Sequence, residues 1–305
     1  MIKQKVIVVV GPTASGKTSF AIELAKELDG EIVSADSMQI YEKMQIATAK
    51  PTKDELSQVK HHMIGFAKLE DEFSVAKYKQ MATAHIEDIL QRGKTPIVVG
   101  GTGLYVDTLV KNTEFFEYEQ SQIRQNLEKR LELEGIERLF EQLQKVDVQT
   151  AEKLHLNDTK RIIRALEVYY TTGKTITNQR ENSHLNESKY DFCIFGLNAE
   201  NRQYLYDRIN LRVDLMLEEG LIDEAKEFFA QDKLGTLKQA IGYKELKPYF
   251  DGELSLEIAI ENLKMQTRRY AKRQLTWFRK NESIHWLLID EHSKDELLEL
   301  ALKII

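Results

Sequence analysis

A chain of 305 residues with 42% apolar and 30% charged residues has the material for one or two packed domains, and it reads as soluble and globular. Its formal net charge of −6 neither requires nor forbids a polyanionic partner, so that question passes to local charge. Cys193 is the only cysteine, which excludes an internal disulfide and a zinc cluster built on cysteine pairs, and no apolar run reaches transmembrane length.

Val6–Val10 is a β-branched apolar run and predicts a strand. The residues that follow, Gly11, Pro12, Thr13, Ala14, Ser15, Gly16, Lys17 and Thr18, meet the P-loop pattern G-x-x-x-x-G-K-[ST] in full. Ser19–Leu28 then reads as a helix, completing the strand, glycine turn and helix that a phosphate cradle needs. Gly11 and Gly16 free the backbone, so that loop N–H groups converge on an anion at the positive end of the helix. Lys17 adds a full charge, and the Thr18 hydroxyl is the expected ligand of Mg²⁺. The chain is therefore expected to bind a di- or triphosphate, without the motif saying whether it is transferred, hydrolysed or expelled. The first ten residues are too short, and too soon followed by this loop, to form a secretion signal, and the cytoplasm is the expected compartment.

Glu31–Ala35 predicts a short strand that runs into Asp36, Ser37, Met38 and Gln39. Ligands of open α/β sheets sit at the carboxyl ends of strands, which places Asp36 near the phosphate site by topology. A helix N-cap is the competing role for this aspartate. Lys53–Val59 reads as a polar helix and His62–Phe66 as a short strand, and the adjacent His61 and His62 receive no ligand role. Ser74–Arg92 carries apolar residues at helical spacing and suits a crossover helix. The strand Pro96–Val99 ends in a second glycine-rich turn, Gly100-Gly101-Thr102-Gly103, whose glycines would allow close approach of a ligand and whose Thr102 adds a hydroxyl. No acid closes that strand, so it is not a Walker B.

Between Glu114 and Asp147 nine acidic residues face five basic ones in Glu/Gln/Leu-rich helical sequence. The balance reverses between Lys153 and Arg180, where Arg161 and Arg164 share one helix face and Ile162, Ala165, Leu166 and Tyr169 form the apolar one, with Gly173 as a stop. The predicted fold is α/β: a P-loop NTPase-like core with a mostly parallel sheet, formed by residues 1–115 and 190–305, and an inserted all-helical domain at residues 116–189.

Strand sequence resumes at Tyr190–Leu197, where Cys193 reads as a small core residue. The helix expected over Asn201–Glu219 carries Arg208 and Arg212 four apart. Gln239–Leu246 is interrupted at Gly242, and Leu254–Asn281 reads as a long helix. Its last twenty-one residues hold seven lysines and arginines against Glu261 alone, with Tyr270, Trp277 and Phe278 interleaved. That density favours a phosphate backbone over a merely solvated face. Ile284–Ile289 predicts a last strand and Glu291–Ile305 a closing helix.

The set GPTASGKT, SADSMQIY, TAKP, VGGTGLY, NDTKRIIRALEVYYTTG and QTRRYAKRQLTWFR, in that order from about Lys5 to Trp286, resembles the tRNA dimethylallyltransferases. The likeness is to the bacterial type, which lacks the zinc-finger tail of eukaryotic relatives. Small departures occur at Ala47, Lys60 and Leu156, none at a proposed reacting group. The resemblance implies transfer of a dimethylallyl group from its diphosphate to N6 of the adenine just 3′ of a tRNA anticodon. The P-loop, which would otherwise suggest ATP, then holds a leaving diphosphate, with Arg208 as a further contact and Arg212 a weaker choice. Asp36 matches the family's general base and Thr102 a residue at the reacting adenine, with Ser37, Met38 and Gln39 lining the same pocket. The tRNA would be contacted by Arg124, Thr159, Lys160, Arg161, Ile162 and Ile163 of the insert and by Ala240, Ile241, Gly242, Tyr243, Lys244 and Glu245 of the core. A monomer is expected. The alternatives are an ATP-dependent small-molecule kinase, which leaves the basic helix unexplained, and a non-catalytic RNA-binding protein gated by a nucleotide.

Overall fold

The computed structural model describes residues 3–113, 115, 122–178, 181, 188–231 and 234–305. The chain divides into two compact units, Met1–Val106 with Lys189–Ile305, and Asp107–Ser188. The second unit thus begins at Asp107, ahead of the position where the change in composition is felt. Phe116, the expected start of the insert, and Arg180 lie outside the described residues.

The first unit is built on a sheet of six described strands: β1 (Gln4–Val10), β2 (Gly30–Ser34), β3 (His61–His62), β4 (Thr95–Gly100), β5 (Tyr190–Asn198) and β6 (Ile284–Leu288). Their spatial order is β3-β2-β4-β1-β5-β6, and every pairing is parallel. Parallel strands need crossover connections, here α1 (Lys17–Glu27), α2 (Lys53–Gln58) and α3 (Val75–Gln91) among others. Helices on the sheet explain why β1 is apolar throughout its last five residues, all buried. Residues 63–66 do not extend β3 as expected, because Met63 and Gly65 take left-handed conformations with φ of 65° and 58°.

Register brings three strand ends together. Val10 pairs with both Gly100 and Gly196, and Ser34 pairs with Val99. The chain beyond β2 stays zipped to β4, since Ala35 N donates to Val99 O at 2.7 Å and Thr102 N to Ala35 O at 3.2 Å. The loops after β1, β2 and β4 therefore emerge side by side at the carboxyl edge. After β4 comes α4 (Gly103–Val110).

The second unit holds α5 (Gln122–Glu134), α6 (Ile136–Val146), α7 (Val148–Ala151) and α8 (Thr159–Thr172), and its regular elements among the described residues are all helical. Leu127, Leu139, Leu143, Ile162, Ile163 and Leu166 form its core. Gly173 ends α8 in the left-handed conformation, as its sequence position suggests.

The first unit continues after β5 with α9 (Arg202–Glu218), α10 (Leu221–Phe229), a 3-10 turn (Gly235–Gln239), α11 (Lys247–Phe250) and the long α12 (Leu256–Phe278), and after β6 it closes with α13 (Lys294–Ile304). Asn201 caps α9 by accepting Gln203 N, and Ser255 and Ser293 cap α12 and α13. No described helix is long and apolar enough to cross a membrane.

Candidate active site

A cavity of about 400 Å³ opens at the carboxyl edge of the sheet, lined from the P-loop, the Asp36 turn, the β4 end, α9 and α12. Thr13, Lys17 and Thr18 come from the P-loop, and Asp36, Ser37, Met38 and Gln39 from the turn after β2.

The P-loop conformation follows from its glycines. Gly11 has φ of 149°, and a Cβ there would stand 2.5 Å from the Leu197 carbonyl oxygen. Gly16 has φ of 88° and forms the N-terminal boundary of α1 without a capping side chain, so the first N–H groups of the helix are left for a ligand. Ala14 is held at φ of 63°, unusual for a residue with a side chain. Pro12 and Ser15 are buried. Lys17 Nζ donates to Pro12 O at 2.7 Å. Burial and the neighbouring Arg212 pull the Lys17 ammonium down to about 7, against the opposing pull of Asp36. Two cations crowd one half-buried site, which is the electrostatic signature of a place kept for an anion.

The two roles weighed for Asp36 coexist. Its Oδ1 accepts Met38 N at 2.8 Å and Gln39 N at 3.2 Å, the work of a cap, although a tight turn follows and not a helix. Among the described residues Oδ2 accepts no hydrogen bond, and Asp36 lies within electrostatic reach of Lys17, Arg212 and Tyr270. Thr102 is set back from the cavity lining: its Oγ1 accepts Ser37 N at 3.1 Å and donates to Ser37 Oγ at 3.4 Å.

The glycines of the second turn meet close packing from distant chain segments. A Cβ on Gly100 would meet the Ala35 carbonyl at 2.2 Å, one on Gly101 would meet Gln274 Nε2 at 2.2 Å, and one on Gly103 would meet the Trp277 ring at 2.3 Å. Chain packs against chain there, while Gly100 and Gly101 also line the cavity. The buried Gln274 joins the two glycine loops: its Oε1 accepts Thr13 N and its Nε2 donates to Gly101 O, both at 2.9 Å.

The arginines of α9 divide. Arg208 is exposed; its Nε donates to the Ala14 carbonyl at 2.8 Å and its guanidinium lies over Tyr204. Arg212, one turn on, lines the cavity, where burial lowers its pKa while Asp36 and Glu219 oppose the fall. The basic helix α12 turns Thr267, Tyr270, Arg273 and Gln274 into the cavity, and Arg273 stacks over Tyr270. Arg269, Lys272, Arg279 and Lys280 are exposed.

Other expected contacts are corrected by burial. Tyr243 is 0% exposed, stacked on Phe228 with its hydroxyl donated to Glu224, so its side chain cannot meet a tRNA. Ala240, Ile241 and Gly242 do line the cavity; Lys244 is exposed, and Glu245 accepts Gly242 N at 3.0 Å. Ile162 and Ile163 are 0% and 4% exposed in the core of the second unit and have no face to offer. Their neighbours Lys160 and Arg161 are exposed, Thr159 is half-buried, and Arg124 pairs with Glu128 at 3.0 Å. His61, given no role from sequence, lines the cavity with its Nδ1 on Val59 O at 2.7 Å, while His62 turns the other way onto Glu31 at 2.8 Å.

Fold and site together define a parallel-sheet P-loop protein with a cationic anion site and a carboxylate in one cavity. The family described as IPP transferase matches residues 39–281. A tRNA dimethylallyltransferase from Acetivibrio thermocellus is 48% identical over 98% of this chain and 96% of its own. The full-length tRNA isopentenylpyrophosphate transferase structure from Bacillus halodurans is 42% identical, with a TM-score of 0.74, covering 99% of this chain and 96% of that one. A eukaryotic dimethylallyltransferase captured acting on tRNA is 34% identical, with a TM-score of 0.81, over 93% of this chain and 73% of that one. This chain belongs to the tRNA dimethylallyltransferase family.

Proposed function

We propose that this chain transfers the dimethylallyl group of dimethylallyl diphosphate to N6 of the tRNA adenine that lies just 3′ of the anticodon. One observation carries the reading: a single cavity is lined both by the P-loop residues Thr13, Lys17 and Thr18 and by Asp36. A leaving diphosphate and a proton acceptor are thereby offered to the same reacting centre.

In the step, the N6 lone pair forms a bond to C1 of the dimethylallyl group as the C1–O bond breaks. The electron pair of that bond leaves with the diphosphate. Lys17, Arg212 and the loop N–H groups stabilise the charge that grows on the bridging oxygen, with Arg208 bracing the loop through Ala14. N6 is a poor nucleophile because its lone pair is delocalised into the purine, and loss of its proton to Asp36 during attack relieves this. Asp36 Oδ1 is held by two backbone N–H groups, which fixes the carboxylate and leaves Oδ2 for the proton.

Mg²⁺ fits this site only together with the substrate. Among the described residues no cluster of three histidine, cysteine or acidic side chains offers a ready-made metal site, whereas the Thr18 hydroxyl at the cavity offers one oxygen beside where the diphosphate would lie. The ion would supply charge neutralisation on the leaving group.

The adenine must leave its stack to reach Asp36 within the cavity. The exposed cations of α12, with Arg124, Thr159, Lys160 and Arg161, supply phosphate contacts that hold the anticodon arm. The setting would be the cytoplasm, with a monomer as the working unit. The test is diphosphate release from dimethylallyl diphosphate and Mg²⁺, with ATP omitted. Release that requires unmodified tRNA supports the reading. Consumption of ATP with small acceptors, and no tRNA-dependent release, would replace it with a kinase.

A further inference from the structure

Glu224, in α10, lies outside the cavity lining and takes no part in the chemistry above. Its carboxylate nevertheless accepts four hydrogen bonds. Oε2 takes Gln45 N at 2.9 Å and Ile46 N at 2.7 Å; Oε1 takes Ala47 N at 2.9 Å and the Tyr243 hydroxyl at 2.8 Å. Three consecutive amides thus converge on one anion, a backbone nest filled by a side chain of the same protein. An ionised carboxylate has about four lone-pair sites, and here each oxygen serves two donors.

Of the residues so held, Ala47 lines the cavity, and Tyr243 directly follows residues that do. Ala47, Thr48 and Ala49 line it as one segment, and Ala240, Ile241 and Gly242, next to Tyr243, as a second. The two segments touch: a Cβ on Gly242 would stand 2.8 Å from the Ala47 Cβ, and Gly242 has φ of 104°. Gln39 Nε2 donates to Thr48 O at 3.1 Å and to Ala49 O at 3.0 Å, which ties the first segment to the Asp36 turn. Nothing in this set reaches the P-loop, whose bracing comes from Gln274 and Arg208.

We propose that Glu224 is a positioning residue for the acceptor: it fixes the two adjoining segments that form the cavity wall against which the adenine is presented to Asp36, independently of the diphosphate loop. The proposal rests on the prenyl-transfer reading. An amide cannot replace the carboxylate. In Glu224→Gln the new NH₂ would face either Gln45 and Ile46 N–H or Ala47 N–H, and the Tyr243 hydroxyl can turn to accept but an amide cannot. Tyr243→Phe is the milder change, removing one hydrogen bond and leaving all three amides held.

The experiment is steady-state transfer by the full chain, with unmodified tRNA and dimethylallyl diphosphate each titrated in turn, for wild type, Glu224→Gln and Tyr243→Phe, together with a thermal melt of each. Glu224→Gln should raise KM for tRNA by about tenfold or more, as expected for a misplaced reacting group, and Tyr243→Phe by less. KM for dimethylallyl diphosphate should stay within about twofold in both, a split that general loosening of the fold would not produce. An unchanged KM for tRNA, or equal rises for both substrates, overturns the proposal. If Glu224→Gln does not fold, Tyr243→Phe must show the split alone. Wild-type protein that forms no product sinks the prenyl-transfer reading itself, whereas product without the split sinks only the role of Glu224.

Discussion

Gln274→Leu separates the two glycine loops with little change in side-chain volume. It removes the acceptor of Thr13 N and the donor to Gly101 O, each now at 2.9 Å. A buried backbone group left without a partner costs about 1–3 kcal/mol. Thr13 borders the cavity and can be rehydrated, so its cost falls at the low end. Gly101 is buried, and Gln274 Nε2 would stand only 2.2 Å from a Cβ placed there, so the leucine fills the space that a replacement water would need. The sum is about 2–4 kcal/mol, which in a chain of this size lowers the melting temperature by about 3–6 °C. If half of that energy is felt by the P-loop, KM for dimethylallyl diphosphate rises by about tenfold. Differential scanning fluorimetry and donor titrations read the two effects. Gln274→Glu sharpens the test, because it keeps an acceptor for Thr13 N but sets an oxygen against Gly101 O and a negative charge beside the diphosphate. It should weaken donor binding more than leucine does. A leucine variant with unchanged melting temperature and unchanged donor KM would refute the linkage.

Asp36→Asn keeps an oxygen to accept Met38 N and Gln39 N, so the turn should survive while turnover falls by about a hundredfold or more and donor affinity holds; single-turnover rates decide. Lys17 sits at about 7 in the free protein, and a bound diphosphate raises it, so binding above pH 7 takes up a proton. Calorimetry at pH 8 in buffers of different ionisation enthalpy should show that uptake in wild type, and less of it in Lys17→Met. Glu31 is held down to about 2 chiefly by its hydrogen bonds to Arg92, with His62 also on it. A depressed carboxylate contributes stability that is full above its unfolded pKa of 4.5 and is lost as pH falls toward about 2. Acid titration of Glu31→Gln should therefore show a flatter loss between those pH values than wild type. Gly103→Ala places a methyl 2.3 Å from the Trp277 ring and should shift the tryptophan fluorescence as α12 gives way.

The parts of the site that are local in the chain were legible in the sequence. The P-loop is a backbone conformation, and Gly11, Gly16 and Lys17 declare it within eight residues. Asp36 follows from the rule that ligands meet strand ends. Long-range partners were not legible. Helical spacing shows that Tyr270 and Gln274 share a face of α12, but not that this face meets the glycine loops. The resemblance favours Arg208 over Arg212 one turn on, whereas the packing of α9 turns Arg212 into the cavity lining and leaves Arg208 outside it. The spans Thr159–Ile163 and Ala240–Glu245 mix inward and outward side chains. Ile162, Ile163 and Tyr243 belong to those spans, but their side chains are buried. The glycines after β4 were correctly singled out, but their neighbours are other chain segments far away in sequence.

The proposed function has the anion loop and Asp36 serve one transfer reaction on tRNA. It is tested most directly by mass spectrometry of nucleosides from unmodified bacterial tRNA incubated with the protein, Mg²⁺ and dimethylallyl diphosphate, without ATP. An adenosine heavier by one isoprene unit is expected, formed by wild type and nearly absent with Asp36→Asn. Unaltered adenosine in the wild-type digest would contradict it, and so would the same yield from both proteins.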